Sequence, residues 1–487
     1  MQANAQGTAP AIENRESSVP RLIAIVGGGF SGTSLAYHLL RQAPPAPPTR
    51  IVIVEPRVEL GAGVAYTARD YPYPLNVAAG QMSIDTAHPN DFLEFARAQG
   101  IHAEAGDYLP RQVFGDYVRT RFSEARSAAP AHVECVHRRA SALRVRPTVN
   151  GQWQVWLDDG TTLNADEIVL ATGNPPPASL PNVGVLENSE RYIRDPWSLG
   201  TLDDQDVHSV LLIGSGLTMI DAALRLAAIR PRLKHIHVLS RHGLLPQPQA
   251  ASAKPPRKPD MAKALEHAQG SIRKLVRVFR DSAARVLQDG GDWREVLGIA
   301  RPLLPTIWKN LDHGQRARFL RHVRAVWDVH RHRAPAGPLA AVQSLARLGI
   351  LDVRAGRIEE INPADDAIEV LWRPRGETRT RAWLVDRIVN CTGPDHRVDR
   401  HNDPLLGSLL ANGLLCVDEL SLGIRVAPDL RVISSAGAPV DSLYYIGPWL
   451  RARDWEATAV PELREHAARL AQMLAVSSKG TAGIEAR

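Results

Sequence analysis

The feature that most constrains this chain is a glycine spacing, Gly27-x-Gly29-x-x-Gly32, set between a strand-like run and a helical one. Leu22–Val26 reads as a strand, Ser31–Gln42 as a helix and Ile51–Val54 as the next strand, which makes one βαβ unit. In such a unit the first glycine forms the tight turn and the second lets backbone approach a pyrophosphate. The third lets the helix pack on the strand. The helix N-terminus then offers free N–H groups to phosphate oxygens. Glu55 ends the second strand. A carboxylate there accepts from ribose hydroxyls and repels a 2′-phosphate, so this unit is expected to take FAD or NAD rather than NADP.

A second unit begins at Ser209. Val210–Ile213 enters Gly214-Ser215-Gly216, a helix follows from about Leu217 to Ala228, and His235–Leu239 supplies the next strand. Met219 stands where the third glycine belongs, so a larger side chain has to fit where helix meets strand. The second strand ends in Ser240-Arg241 instead of an acid. An arginine there can clamp a 2′-phosphate with two charge-assisted bonds, which favours NADPH over NADH. Two such units in one chain imply hydride traffic from nicotinamide to flavin, the work of an oxidoreductase.

Composition narrows the remaining classes. Cys135, Cys391 and Cys416 form no C-x-x-C pair, which argues for a reducing, cytoplasmic setting and against a redox-dithiol reductase. The densest basic run, Arg316–Arg333, holds six arginines, but Leu320, Val323 and Trp327 recur in it at helical spacing. It therefore reads as a solvated helix face, and no nucleic-acid partner is expected. No apolar stretch is long enough to span a membrane, and the polar first twenty residues do not resemble a secretory signal.

The expected fold class is α/β, with two Rossmann-like dinucleotide-binding domains, the FAD domain discontinuous and the NADPH domain inserted into it. The expected layout has a disordered lead-in over 1–20 and a first part of the FAD domain over 21–200. The nicotinamide domain follows over 205–385, with a helical insert at about 255–335. A return to the FAD domain spans 386–475 and a disordered tail 476–487. Pro246–Pro259 reads as a Pro- and Lys/Arg-rich linker.

Seven segments carry a family resemblance: Gly27–Gly32, GAGVAY (Gly61–Tyr66), LNVAAGQMS (Leu75–Ser83), ATG with its prolines (Ala171–Pro177), GSGLTMID (Gly214–Asp221), WDVHRHR (Trp327–Arg333) and WEATAVPELR (Trp455–Arg464). They resemble a bacterial family of FAD/NAD(P)-binding proteins similar to flavin-dependent N-hydroxylating and Baeyer–Villiger-type monooxygenases. The resemblance implies FAD contacts at Gly27, Gly29, Ser31, Gly32 and Glu55, at Asn76, Gln81 and Ser83, and at Thr172 and Gly173. Arg111, in PRQVFGDY, is an implied phosphate ligand. NADPH contacts are implied at Gly214, Ser215, Gly216, Thr218 and Arg241. The implied chemistry has NADPH reduce FAD, O₂ add at flavin C4a, and the distal oxygen pass to a small-molecule substrate. No catalytic side chain is singled out.

Urate 5-hydroxylation is the leading substrate expectation. N-hydroxylation of an amino acid or amine is the alternative, and a reductase passing electrons to a protein partner stands behind both. A non-catalytic flavin-binding regulator is the last option. His330 and His332 lack carboxylate or cysteine partners at ligand spacing, so no metal is expected, and a structural role or an acidic-substrate contact remains for them. Asp221 is expected to pair locally. Cys391 is read as a small residue permitting close backbone approach and not as a nucleophile.

Overall fold

Leu22–Val26 and Ile51–Val54 are apolar along their whole length, as strands covered on both faces must be. In the computed structural model, which describes residues 19–44, 47–202, 206–230, 232–250 and 261–481, they become Arg21–Val26 and Thr49–Val54. The two strands run parallel, with Ile23 beside Ile51 and Val26 beside Val54. The sheet has six strands in the order Arg431–Ile433, Pro439–Tyr445, Glu167–Leu170, Arg21–Val26, Thr49–Val54, Val133–Arg138. Only the Arg431–Ile433 edge is antiparallel. Every residue of the first nucleotide helix from Phe30 to Leu40 is buried, because helices Arg111–Ser127 and Val460–Thr481 cover the side that faces away from the sheet.

The second sheet has seven strands in the order Arg381–Val385, Ile368–Pro374, Leu351–Pro363, His235–Ser240, Ser209–Ile213, Arg387–Asn390, Tyr192–Ile193. Its first three strands form an antiparallel meander and the rest are parallel. Tyr192–Ile193 and Arg387–Asn390 thus lie in the second sheet, whereas cuts near 200 and 386 would place both in the first. A two-residue edge strand has no periodicity to read, and a short buried run such as Arg387–Asn390 suits either sheet equally.

The insert consists of six α-helices, from Ala262–Ala268 to Arg324–Arg331, with a 3-10 turn at Arg301–Leu303. Ser271 and Asp312 cap two of them through their side chains, accepting from the Lys274 and Gln315 N–H groups. Its core, with Leu265, Ile307, Trp308 and Phe319, is continuous with Leu422, Ala452 and Trp455 of the returning chain. The Trp308 Nε1–H donates to the Ala452 carbonyl at 3.1 Å. The insert therefore packs on the FAD-domain return. The C-terminal helix runs on to Thr481, past the tail boundary expected at 476. The lead-in over 1–18, residues 45–46 of the Pro-rich loop, residue 205, the linker over 251–260 and residues 482–487 lie outside the described residues.

Candidate functional site

At the first turn Gly27 has φ +110°, and a Cβ there would lie 2.2 Å from the Ala171 carbonyl oxygen. A Cβ on Gly32 would lie 2.0 Å from the Gly27 carbonyl oxygen, so the helix sits directly on the turn. Gly29 caps that helix with an ordinary φ of −73° and no side-chain cap. Its nearest neighbour would be the Gly63 Cα at 3.6 Å, so the helix N-terminus stays open. Ser31 is buried in the first turn. Glu55 is buried at the strand end; its Oε2 accepts from the Gly28 N–H at 2.8 Å and its Oε1 from Arg57 Nε at 2.8 Å. Burial alone would raise this carboxyl, but the bonds from Arg57 and Gly28 outweigh it and hold the group below its usual range, ionised. Thr172 and Gly173, at φ +76°, leave the adjoining strand directly behind the turn. An open cradle ending in a carboxylate fits a dinucleotide whose ribose bears free hydroxyls.

The second turn repeats the arrangement. Gly214 has φ +108°, and a Cβ on it would lie 2.4 Å from the Cys391 carbonyl oxygen. Gly216 caps the helix Leu217–Ile229 with nothing within 4 Å of where its Cβ would be. Thr218 follows it, half-buried. Met219 is fully buried in the second core, filling the space that a third glycine would have closed. The Ser215 hydroxyl bonds the Ser240 hydroxyl at 2.8 Å and the Leu244 carbonyl at 2.6 Å, which ties the turn to the end of the next strand. Arg241 is exposed there. Beside it Arg375 Nη1 donates to His242 Nδ1 at 2.8 Å. Partial burial and the charges of Arg375 and Arg241 hold His242 below its ordinary value. Two arginines beside an imidazole at the strand end would suit a phosphate dianion.

The sequence model of a family described as FAD-NAD(P)-binding matches residues 24–175. A search of curated proteins returns no match. Among solved structures, an ornithine N-hydroxylase from Kutzneria sp. 744 overlays 96% of this chain and 100% of its own, with a TM-score of 0.63 at 16% identity. An ornithine hydroxylase from Pseudomonas aeruginosa overlays 94% of this chain and 99% of its own, with a TM-score of 0.62 at 14% identity. An L-lysine 6-monooxygenase from Pseudomonas syringae gives the same coverage and a TM-score of 0.62 at 16% identity. The chain shares the fold of these three enzymes, and its residues 24–175 match the FAD-NAD(P)-binding family.

Several expected site residues are engaged with other parts of the protein. Arg111, expected as a phosphate ligand, makes three contacts within the protein. Its Nη2 pairs with Asp221 at 2.7 Å, its Nε donates to the Pro74 carbonyl at 3.2 Å, and its guanidinium lies 5.1 Å from the Trp197 ring centroid. Asp221, expected to pair locally, thus reaches from the second nucleotide helix to the FAD domain. Arg225, one turn further along that helix, pairs with Asp70 of the FAD domain. Ser83 is fully buried, and its hydroxyl is engaged by the Asp85 N–H at 3.1 Å and the Tyr117 hydroxyl at 3.3 Å. Its hydroxyl stabilises the loop. Asn76 offers its carbonyl to Gln249 Nε2 at 3.1 Å, while the Gln81 side chain is exposed.

Cys391 is buried, which pushes its thiol far up and leaves it protonated and inert. His330 is a half-buried helix residue, bonded to the Val326 carbonyl at 2.8 Å and packed edge-on against Trp293 with ring centroids 5.0 Å apart. Among the described residues no His, Cys, Asp and Glu cluster could hold a metal, and no helix is long and apolar enough to cross a membrane. Arg375 and His242 escape sequence reasoning. Arg375 reaches the nucleotide strand only through pairing across a hairpin, and no linear spacing encodes that.

Proposed function

We propose that the protein is an FAD- and NADPH-dependent monooxygenase that N-hydroxylates a small amine or amino acid. The observation that carries this is the pairing of two open glycine turns in one chain, one ended by a buried carboxylate and the other by two guanidiniums. The whole-length likeness to an ornithine N-hydroxylase solved with reduced FAD, NADP⁺ and L-ornithine supports the substrate class. None of the structures compared above acts on urate, so N-hydroxylation takes the place of the urate expectation.

The first helix N-terminus and Glu55 would hold FAD, the second helix N-terminus the NADPH pyrophosphate, and Arg241 with Arg375 the 2′-phosphate. Bound flavin, reduced by NADPH, supplies the activation of O₂. The chain's own part is to hold both nucleotides at the carboxyl ends of the two sheets, to keep the domains joined through Arg111–Asp221 and Arg225–Asp70, and to exclude water with the helical insert.

The test measures NADPH oxidation, H₂O₂ and hydroxylamine product with L-ornithine, L-lysine, the corresponding diamines and urate. Hydroxylamine formed from an amine supports the reading. Oxidation of urate alone, or electron transfer only to a protein acceptor, overturns it. For the nucleotide, Arg241→Ala and Arg375→Ala should each raise the KM for NADPH roughly 10- to 100-fold, as expected on losing a charge-assisted bond, and leave the NADH value unchanged. Equal loss with both nucleotides would remove the 2′-phosphate assignment.

A further inference from the structure

The two nucleotide crevices meet at a place that carries more buried positive charge than it neutralises. Pro439–Tyr445 ends beside Glu167–Leu170 in the first sheet, where the Ile446 N–H donates to the Leu170 carbonyl at 3.0 Å. The segment that leaves this strand carries Arg451. Arg387–Asn390 lies beside Ser209–Ile213 in the second sheet, and the loop that leaves it carries His396. Carboxyl ends of parallel strands are where such folds hold their ligands. Arg451 and His396 come from two different sheets, yet Arg451 Nη1 and His396 Nε2 are 3.3 Å apart.

The helix Arg324–Arg331 of the insert forms the third wall. Asp328 Oδ1 lies 4.0 Å from Arg451 Nη2, and Asp328 Oδ2 lies 3.3 Å from Arg324 Nε. Arg331 lies 2.8 Å from Glu456, which also accepts from Trp327 Nε1 at 3.3 Å. The Arg451 guanidinium is stacked 3.9 Å from the Trp455 ring centroid.

Arg324, Arg331 and Arg451 face two carboxylates, Asp328 and Glu456, while the neighbouring Asp395 and Glu462 are already paired with Arg397 and Arg301. His332 and His396 add no negative charge. Burial first, then the surrounding arginines, push both imidazoles down to about 3, and burial with Arg324 pushes Arg451 down to about 10. Arg451 is only 8% exposed, and its Nε has no hydrogen-bond partner among the described residues. Arg331 Nη2 and His396 Nδ1 are likewise buried without one. A cluster that served only to fasten the insert would need matched charges, because an uncompensated buried cation with unmet donors is strongly unfavourable. The nucleotide phosphates already have their seats at the two glycine turns. A surplus cation with open donors where three parts of the fold converge therefore suits an anionic group of the substrate.

We propose that Arg451, with His396 and Arg331, forms a carboxylate subsite that selects an amino acid over the corresponding diamine. This deepens the N-hydroxylase reading and, for substrate turnover, rests on it. The WDVHRHR segment thereby acquires a role, with Arg331 bordering the subsite and His332 behind it, while His330 packs against Trp293.

The experiment uses the FAD-loaded protein in two arms. In the first, hydroxylamine formation is measured with L-ornithine against 1,4-diaminobutane and with L-lysine against 1,5-diaminopentane. The wild type should favour the carboxylate-bearing member of a pair at least about tenfold in kcat/KM, and Arg451→Gln should erase that preference through KM. His396→Gln, a milder change, should reduce the preference without erasing it, which covers misfolding of the Arg451 variant. In the second arm, glutarate and 1,5-diaminopentane are titrated calorimetrically into the same proteins. Glutarate should bind the wild type and lose roughly 10-fold or more in affinity in either variant, while the diamine shows no such loss. A wild-type preference for diamines, an unchanged preference in both variants, or a raised KM for NADPH in place of the substrate would overturn the subsite. Glutarate binding that depends on Arg451, without hydroxylamine from any amine, would retain the subsite and reject the N-hydroxylase reading. Absence of glutarate binding and of amino-acid preference would reject the subsite alone.

Discussion

Replacing Gly32 with alanine should give a protein that purifies without flavin and melts well below the wild type. The added methyl would lie 2.0 Å from the Gly27 carbonyl oxygen and 3.1 Å from Ile25 Cγ2. The first obstacle is backbone, which cannot swing aside, and the helix cannot retreat because it is buried from Phe30 to Leu40 beneath two others. Overpacking of this kind costs about 1–3 kcal/mol or more, and it distorts the turn that must receive the pyrophosphate. Gly29→Ala separates the two effects. Gly29 has an ordinary φ of −73°, and its methyl would meet only the Gly63 Cα at 3.6 Å. The apoprotein should therefore melt like the wild type, while FAD affinity falls about tenfold because the methyl occupies the approach to the helix N-terminus. The readouts are the ratio of flavin to protein absorbance and the melting temperature with and without added FAD. Wild-type flavin affinity in Gly29→Ala would move the phosphates away from this helix, and a stable, yellow Gly32→Ala would undo the packing argument.

The glycine turns and Glu55 are legible in the sequence because their logic is local: a strand, a turn and a helix follow one another within a few residues. Met219 is legible as a departure, but its burial in the second core becomes visible only once the strands around it are placed. Edge strands such as Val133–Arg138 and Arg431–Ile433 are half-polar and short, so neither apolar alternation nor a buried run marks them. Arg111 and Asp221 each invite a role on their own, but they meet across 110 residues, and that contact ties the two nucleotide units together. The same limit applies to Arg375 with His242 and to Arg451 with His396. These pairs come from segments far apart in sequence: Arg375 and His242 converge only once the second sheet is assembled, and Arg451 and His396 only once both nucleotide units have folded. Substrate identity sits at that level too, and the compact length that suggests urate says nothing about which charges converge beside the crevices.

His332 and His396 should make the protein acid-labile. Both are neutral when folded, with values pushed down to about 3 by burial and nearby guanidiniums, against an ordinary 6.5. His332 faces Arg331, Arg451, Arg324 and Arg333; His396 faces Arg451 and Arg324, with only Asp395 opposing them and His401 close by. Below pH 6.5 the unfolded chain takes up protons that the folded one refuses. The contribution is therefore complete above that pH, is lost as pH falls, and levels off near 3. Each histidine costs up to about 1.4 kcal/mol per pH unit in that window, so the pair loses up to about 5 kcal/mol over two units, on the scale of a whole domain's stability. Asp221 works in the opposite sense. Burial raises it from 3.8 to about 6 despite Arg111, so its contribution is complete below 3.8 and lost as pH rises through 6. Over the same descent it returns about 2 kcal/mol, too little to cancel two histidines. Urea midpoints from pH 7.5 to 4.5 should fall more steeply for the wild type than for His332→Gln/His396→Gln, and parallel slopes would show that these imidazoles do not carry the effect. A carboxylate seated on Arg451 would ease protonation of both imidazoles. Glutarate should then restore more stability in acid to the wild type than to the double variant, which ties the acid response to the carboxylate subsite.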